Sequence, residues 1–88
     1  MASFQWDPGK ALINQKVHGV SFAEAVTAFE DDYALTVEDE HSDERRFITL
    51  GKDSTSRLLV VVYTYRGDTI RIISARRATS QERKDYEA

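Results

Sequence analysis

Cysteine is missing from this chain, which excludes disulfides and thiolate metal centres and is compatible with a reducing compartment. Long apolar runs are missing too. No stretch approaches the roughly 20 residues needed to span a membrane, and the opening MASFQWDPGK lacks the apolar core of a signal peptide. The expected location is therefore the cytoplasm, with no membrane partner. Repeats, low-complexity tracts and linkers are also lacking, so residues 1–88 read as one domain with room for a single modest core. Aromatic residues are few near the basic strands, where Tyr63 and Tyr65 are the candidates for stacking against bases.

What the chain does have is charge, unevenly spread. Charged residues make up 31% and hydrophobic residues 41%, an ordinary balance for a globular domain, and the net charge is −3. Residues 1–44 hold ten acids against Lys10 and Lys16, a net −8, whereas residues 45–88 hold ten bases against five acids, a net +5. Eight of those ten bases are arginine, whose planar fork suits bidentate contact with phosphate or carboxylate. A basic half of this kind can hold an anion if folding gathers its arginines on one face. It can equally be a solvated, salt-bridged sheet face with the acidic half folded over it.

Capping signals delimit the scaffold. After a brief alternation in SFQW, Asp7 can cap a helix beginning at Pro8 and ending near His18, before Gly19. Ser21 and Glu24 form a capping box for a second helix, with Phe22, Ala25, Val26 and Phe29 on one stripe. The acidic stretch that follows holds a weak strand over 34–37 and a loop over 39–43. RRFITLGK, RLLVVVYTYR and DTIRIISARR then read as a three-stranded meander turned at DSTS and RGD, the middle run apolar on both faces. TSQE offers a last capping box, Thr79 with Glu82, opening a short helix with almost no apolar stripe. The fold class is α+β: two N-terminal helices on one face of a mainly antiparallel sheet, the other face open, and a short C-terminal helix.

Strict alternation along residues 70–77 sends Ile70, Ile72, Ser74 and Arg76 one way and Arg71, Ile73, Ala75 and Arg77 the other. With the isoleucines in the core, Arg71 belongs to the open face and Arg76 to the strand's end, where it can turn toward a rim. In the first helix Lys10, Asn14 and His18 recur four residues apart as a polar stripe about 12 Å long. A histidine near a helix C-terminus, as His18 is, is more often a dipole partner than a catalyst, but His18 leads the proton-transfer candidates because its reference pKa lies near neutrality.

The pattern from Trp6 to Ala25 (WD..K...N...HGVSFAEA), Glu44 to Phe47, and the run from Arg57 to Glu87 containing IRIISARRAT resembles the BrnT family of bacterial toxins. The resemblance implies a RelE-like α+β fold and a ribonuclease that halts translation. It also implies neutralisation by a BrnA antitoxin with a ribbon-helix-helix region, the hetero-oligomer repressing its own operator DNA. The chain departs from the pattern where a Lys precedes His-Gly-Val: Val17 stands there, four residues after Ile13, where it could extend a buried stripe.

RNA cleavage without metal needs a base for the 2′-hydroxyl, an acid for the leaving oxygen, and cations for the charge on phosphate. The candidates for phosphate are Arg76 first, then Arg71, Arg77 and Arg46, with Lys10 and Arg83 as further RNA contacts. Those for proton transfer are His18, Glu44, Glu82 and Tyr86. No metal or other cofactor is expected, since the clustered ligands Asp39, Glu40, His41 and Asp43 fall on a loop. A binding module of the same fold, acting through its antitoxin and operator DNA, is the alternative. An acidic partner segment across the open face is the expected means of silencing.

Overall fold

The computed structural model describes residues 3–40 and 43–88. Strand β1 (Ser3–Gln5) leads into helix α1 (Pro8–His18) and helix α2 (Phe22–Val26), which continues as a 3₁₀ turn, Thr27–Glu30. Strands β2 (Leu35–Asp39), β3 (Arg46–Lys52), β4 (Leu58–Arg66) and β5 (Thr69–Arg77) follow, and α3 (Ser80–Glu87) closes the order. His41, of the loop ligands, lies outside the described residues.

The helix starts are set locally. Asp7 accepts from the Lys10 backbone N–H at 3.0 Å with Pro8 in the first turn, and Gly19 closes α1 at φ 70°, a left-handed conformation that glycine adopts without a Cβ penalty. Both capping boxes form, Ser21 with Glu24 and Thr79 with Glu82. The second helix is shorter than its apolar stripe. The Thr27 hydroxyl bonds the Glu24 carbonyl at 2.7 Å and accepts from the Ser54 N–H at 2.8 Å, tying the chain into a tighter turn that still packs Phe29 on the core.

The strands form one mixed sheet in the order β1-β5-β4-β3-β2, with β1 parallel to β5 and the other pairs antiparallel. The main core lies on one face, where Leu59, Val61 and Tyr63 meet Val20, Phe22 and Ala25. Gly51 of β3 sits on this face beneath the 3₁₀ turn. A Cβ there would lie 2.8 Å from the Ala28 carbonyl oxygen and 3.2 Å from the Ala34 Cβ. Gly51→Ala should therefore force strand and turn apart and cost about 1–3 kcal/mol in chemical denaturation.

The opposite face is only partly open, which corrects the expectation from sequence. A second cluster of Leu50, Leu58 and Val60 is covered by Ala78 and by Tyr86 of α3. The helix lacks an apolar stripe but has specific anchors. The Tyr86 hydroxyl donates to Asp31 at 2.6 Å, and the Lys52 ammonium lies 5.7 Å from the centre of the Tyr86 ring.

The alternation of β5 is broken. Tyr63 pairs with Ile72 but Val62 pairs with Ser74, so Ile73 is an extra residue, a β-bulge. Before the bulge Arg71 pairs with Thr64, and after it Arg76 pairs with Val60. Thr64 and Val60 share the face turned away from the main core, so Arg71 and Arg76 share it as well. Ala75 instead joins Ile70 and Ile72 in the main core.

Candidate functional site

The arginine-bearing face can be followed row by row. Across the sheet run Asp39, Arg46, Thr64 and Arg71, then Val37, Ile48, Val62 and Ser74, then Leu35, Leu50, Val60 and Arg76. Arg46 and Arg71 thus stand on either side of Thr64 at one end of the face, and Arg76 stands at the other. Glu44 approaches Arg46 with its carboxylate 3.6 Å from Nε, beyond hydrogen-bonding range, so charge alone links them.

Arg76 is not idle. Its two terminal nitrogens donate to the two oxygens of Glu82 at 2.8 and 2.9 Å, a fork-to-fork pair, and Nη1 also reaches the Arg77 carbonyl at 3.2 Å. Glu82 at the same time accepts from the Thr79 N–H. The Arg76 guanidinium, with the Thr79 contact, draws the Glu82 carboxyl down to about 2. At neutral pH Glu82 is a carboxylate saturated with donors, and so a weak proton acceptor. Tyr86 is pushed up to about 12 by its hydrogen bond to Asp31, since a phenolate would face that carboxylate.

A pH dependence of stability follows. The folded-state value of Glu82 lies below its ordinary 4.5, so the pair stabilises the protein above that pH and loses its effect as pH falls toward 2. The pair is partly solvated, which reduces the effect to about 1–2 kcal/mol. Glu82→Gln should be less stable than the parent at pH 7, and the gap should close toward pH 2 in urea titrations.

The remaining candidates lie elsewhere. His18 and Lys10 line a cleft of about 330 Å³ on the helical side of the sheet, with Ile13, Asn14, Val17 and Ile73. Arg77 and Arg83 are exposed, Arg77 on the helical face opposite Leu59 and Arg83 on α3. The polar stripe of α1 is divided in role. Lys10 and His18 are exposed, but Asn14 is only 7% exposed and clamps β5. It donates to the carbonyls of Val20 and Ala75 at 3.0 and 2.8 Å and accepts from the Ala75 N–H at 3.1 Å. Ile13 and Val17 do not extend a buried stripe, being 62% and 68% exposed.

Two further features were not signalled by any motif. Asp53, buried in the β3–β4 turn, accepts from Thr55 and Arg57. Burial raises its pKa, but those donors outweigh the burial and hold the carboxyl below its usual range. The Arg57 Nη2 lies 3.0 Å from both Asp53 and Glu24 without hydrogen-bond alignment to either, and Nη1 reaches the Gly19 carbonyl at 3.3 Å. This network joins both helices to the turn. The aromatic candidates divide: Tyr63 is buried with its hydroxyl 2.8 Å from that of Thr49, whereas Tyr65 is half exposed, edge-on to Phe47 at 5.2 Å.

No grouping of three or more metal-ligating side chains occurs among the described residues. No helix among them is long and apolar enough to cross a membrane.

The architecture is that of a small α+β domain with an arginine-bearing sheet face, and comparisons with known proteins assign it further. The family model described as the ribonuclease toxin, BrnT, of type II toxin-antitoxin systems matches residues 6–82. The chain belongs to this BrnT family, which implies a ribonuclease toxin with an antitoxin partner. Among solved structures, the Brucella abortus ribonuclease toxin BrnT superposes with a TM-score of 0.68 at 19% identity, over 91% of this chain and 100% of that one, and shows the same fold. A search of curated proteins gives no match.

Proposed function

We propose that this chain is a RelE-like endoribonuclease toxin that cleaves messenger RNA without a metal ion and so halts translation in the cytoplasm. The 2′-hydroxyl attacks the adjacent phosphorus and breaks the bond to the 5′-oxygen, which takes a proton and leaves as a hydroxyl. Arg76, Arg71 and Arg46 stabilise the charge that builds on the phosphoryl oxygens. The observation that carries this reading is the bulge at Ile73, which brings Arg71 and Arg76 to one face, with Arg46 near Arg71 at one end and Arg76 at the other. On that face Glu44, exposed and next to Arg46, is the carboxylate suited to take the hydroxyl proton. Neutralisation falls to a BrnA-type ribbon-helix-helix antitoxin, whose complex with the toxin binds operator DNA.

The test is cleavage of a defined RNA by the purified chain freed of its antitoxin, in excess chelator. The expected product carries a 2′,3′-cyclic phosphate or its hydrolysis product at the new 3′ end. Products with 5′-phosphates, or activity restored only by magnesium, would exclude this mechanism. The alternative, a binding module acting through its antitoxin and operator complex, draws support from Glu82 occupying the Arg76 fork. Absence of any cleavage by the folded, partner-free chain would establish it.

A further inference from the structure

The acidic part of the chain is also the part left at the sheet edge. β2 is the end strand of the sheet, so one side of its backbone has no strand partner among the described residues. Its Leu35 and Val37 are 45% and 59% exposed, an unusual condition for apolar side chains on an edge strand. Both point to the face that α3 partly covers, where they pair with Leu50 and Ile48. Together with Val60 these four side chains line a groove of about 250 Å³, and its α3 wall carries Glu82 and Asp85. That volume is below the roughly 300–1,000 Å³ of small-molecule sites and suits one or two side chains of a docked segment.

Charge specifies the segment. β2 lies within residues 30–44, which hold eight acids (Glu30, Asp31, Asp32, Glu38, Asp39, Glu40, Asp43, Glu44) and no Lys or Arg. With Glu82 already matched by Arg76, Asp85 adds further negative charge to the α3 wall. Glu38 is paired with Arg45 and Glu44 lies beside Arg46, but the acidic excess that remains favours a basic segment at this edge over the acidic one expected from sequence.

Resting on the toxin reading above, we propose that the groove between α3 and β2 is where the antitoxin docks an extended segment with alternating apolar side chains and Lys or Arg between them. Backbone hydrogen bonds to the free edge of β2 provide affinity, apolar side chains enter beside Leu35 and Val37, and the basic residues meet the acidic surround. A segment seated there lies against Glu82 and hence beside Arg76, so docking and silencing coincide.

The chain has no cysteine, so Val37→Cys gives a unique site for a photo-crosslinker. The test uses the toxin co-expressed with the antitoxin from its own operon. The crosslink should fall on an antitoxin segment of alternating apolar and basic residues, and hydrogen exchange of residues 35–39 should slow in the complex. Val37→Lys in β2 and Asp85→Lys in α3, at the two walls of the groove, should each weaken the complex at least tenfold. Unchanged exchange in β2, a crosslink to an acidic segment or a second toxin copy, protection of Leu12, Ile13 and Val17 on α1 instead, or parent-like binding by both variants would overturn the proposal. A complex that maps to β2 around a toxin unable to cleave RNA would uphold the docking site and refute the ribonuclease reading.

Discussion

Arg76→Ala should lower RNA cleavage by about two orders of magnitude and relieve growth inhibition, with the fold retained. Removing one preorganised donor that stabilises a developing oxyanion costs roughly this much in other enzymes. The side chain is partly exposed, so truncation opens no cavity in either core cluster. It does leave Glu82 without its main partner, and the Glu82 pKa should return toward 4.5. Arg76→Lys keeps the charge without the fork and should recover only part of the activity. A third variant, Glu82→Gln, separates two roles for the acid. If Glu82 only occupies the Arg76 fork, loosening the pair should tighten binding of a non-cleavable RNA. If it transfers a proton, cleavage should collapse while binding is kept. Full activity in a folded Arg76→Ala protein would place the site elsewhere.

The largest effect on stability should come from Asn14→Ala. The amide makes three hydrogen bonds, all to backbone, and two of them complete the N–H and C=O of Ala75 in the middle of β5. Truncation leaves one donor and two acceptors unpaired in the core, at a cost of about 2–4 kcal/mol. For a domain of this size that lowers the melting temperature by on the order of 15 °C, readable by circular dichroism. Asn14→Asp is nearly isosteric yet loses both donations and sets a carboxylate against the Val20 and Ala75 carbonyls, so it should be at least as harmful. If Asp were tolerated, side-chain volume rather than hydrogen bonding would account for the burial of Asn14.

Features set by neighbours in sequence were legible. Asp7 with Pro8, Ser21 with Glu24, Thr79 with Glu82 and Gly19 each mark a helix end, because a cap is completed within four residues. Features completed at long range were not. Asn14 finds Ala75 61 positions away, and Tyr86 finds Asp31 55 positions away, so the first reads in sequence as part of a polar stripe and the second as part of a helix with almost no apolar stripe. Val17 was misplaced for a related reason. Spacing from Ile13 shows that two residues share a helix face, but only packing shows whether that face is covered. The arginines were recognised as residues before they could be recognised as a group. Their common face depends on how β5 counts against β4, and no local signal at Ile73 reveals that the count slips by one.

That slip makes the length of β5 a matter of parity. Deleting Ile73 would remove one isoleucine and no charge, and the remaining pairs would alternate strictly with Arg71 and Arg76 still on one face. Keeping Ile73 but pairing it with Val62 in place of Ser74 would instead send Ala75 outward and Arg76 into the helical core. A chain compared by residue identity alone would appear to keep its site, while in space the site would have been taken apart. For this protein the spacing between Arg71 and Arg76 therefore carries as much information as the arginines themselves. A variant lacking Ile73 should therefore keep both arginines on one face and retain activity, whereas one residue added between Ile73 and Ser74 would need a wider bulge to hold Arg76 opposite Val60.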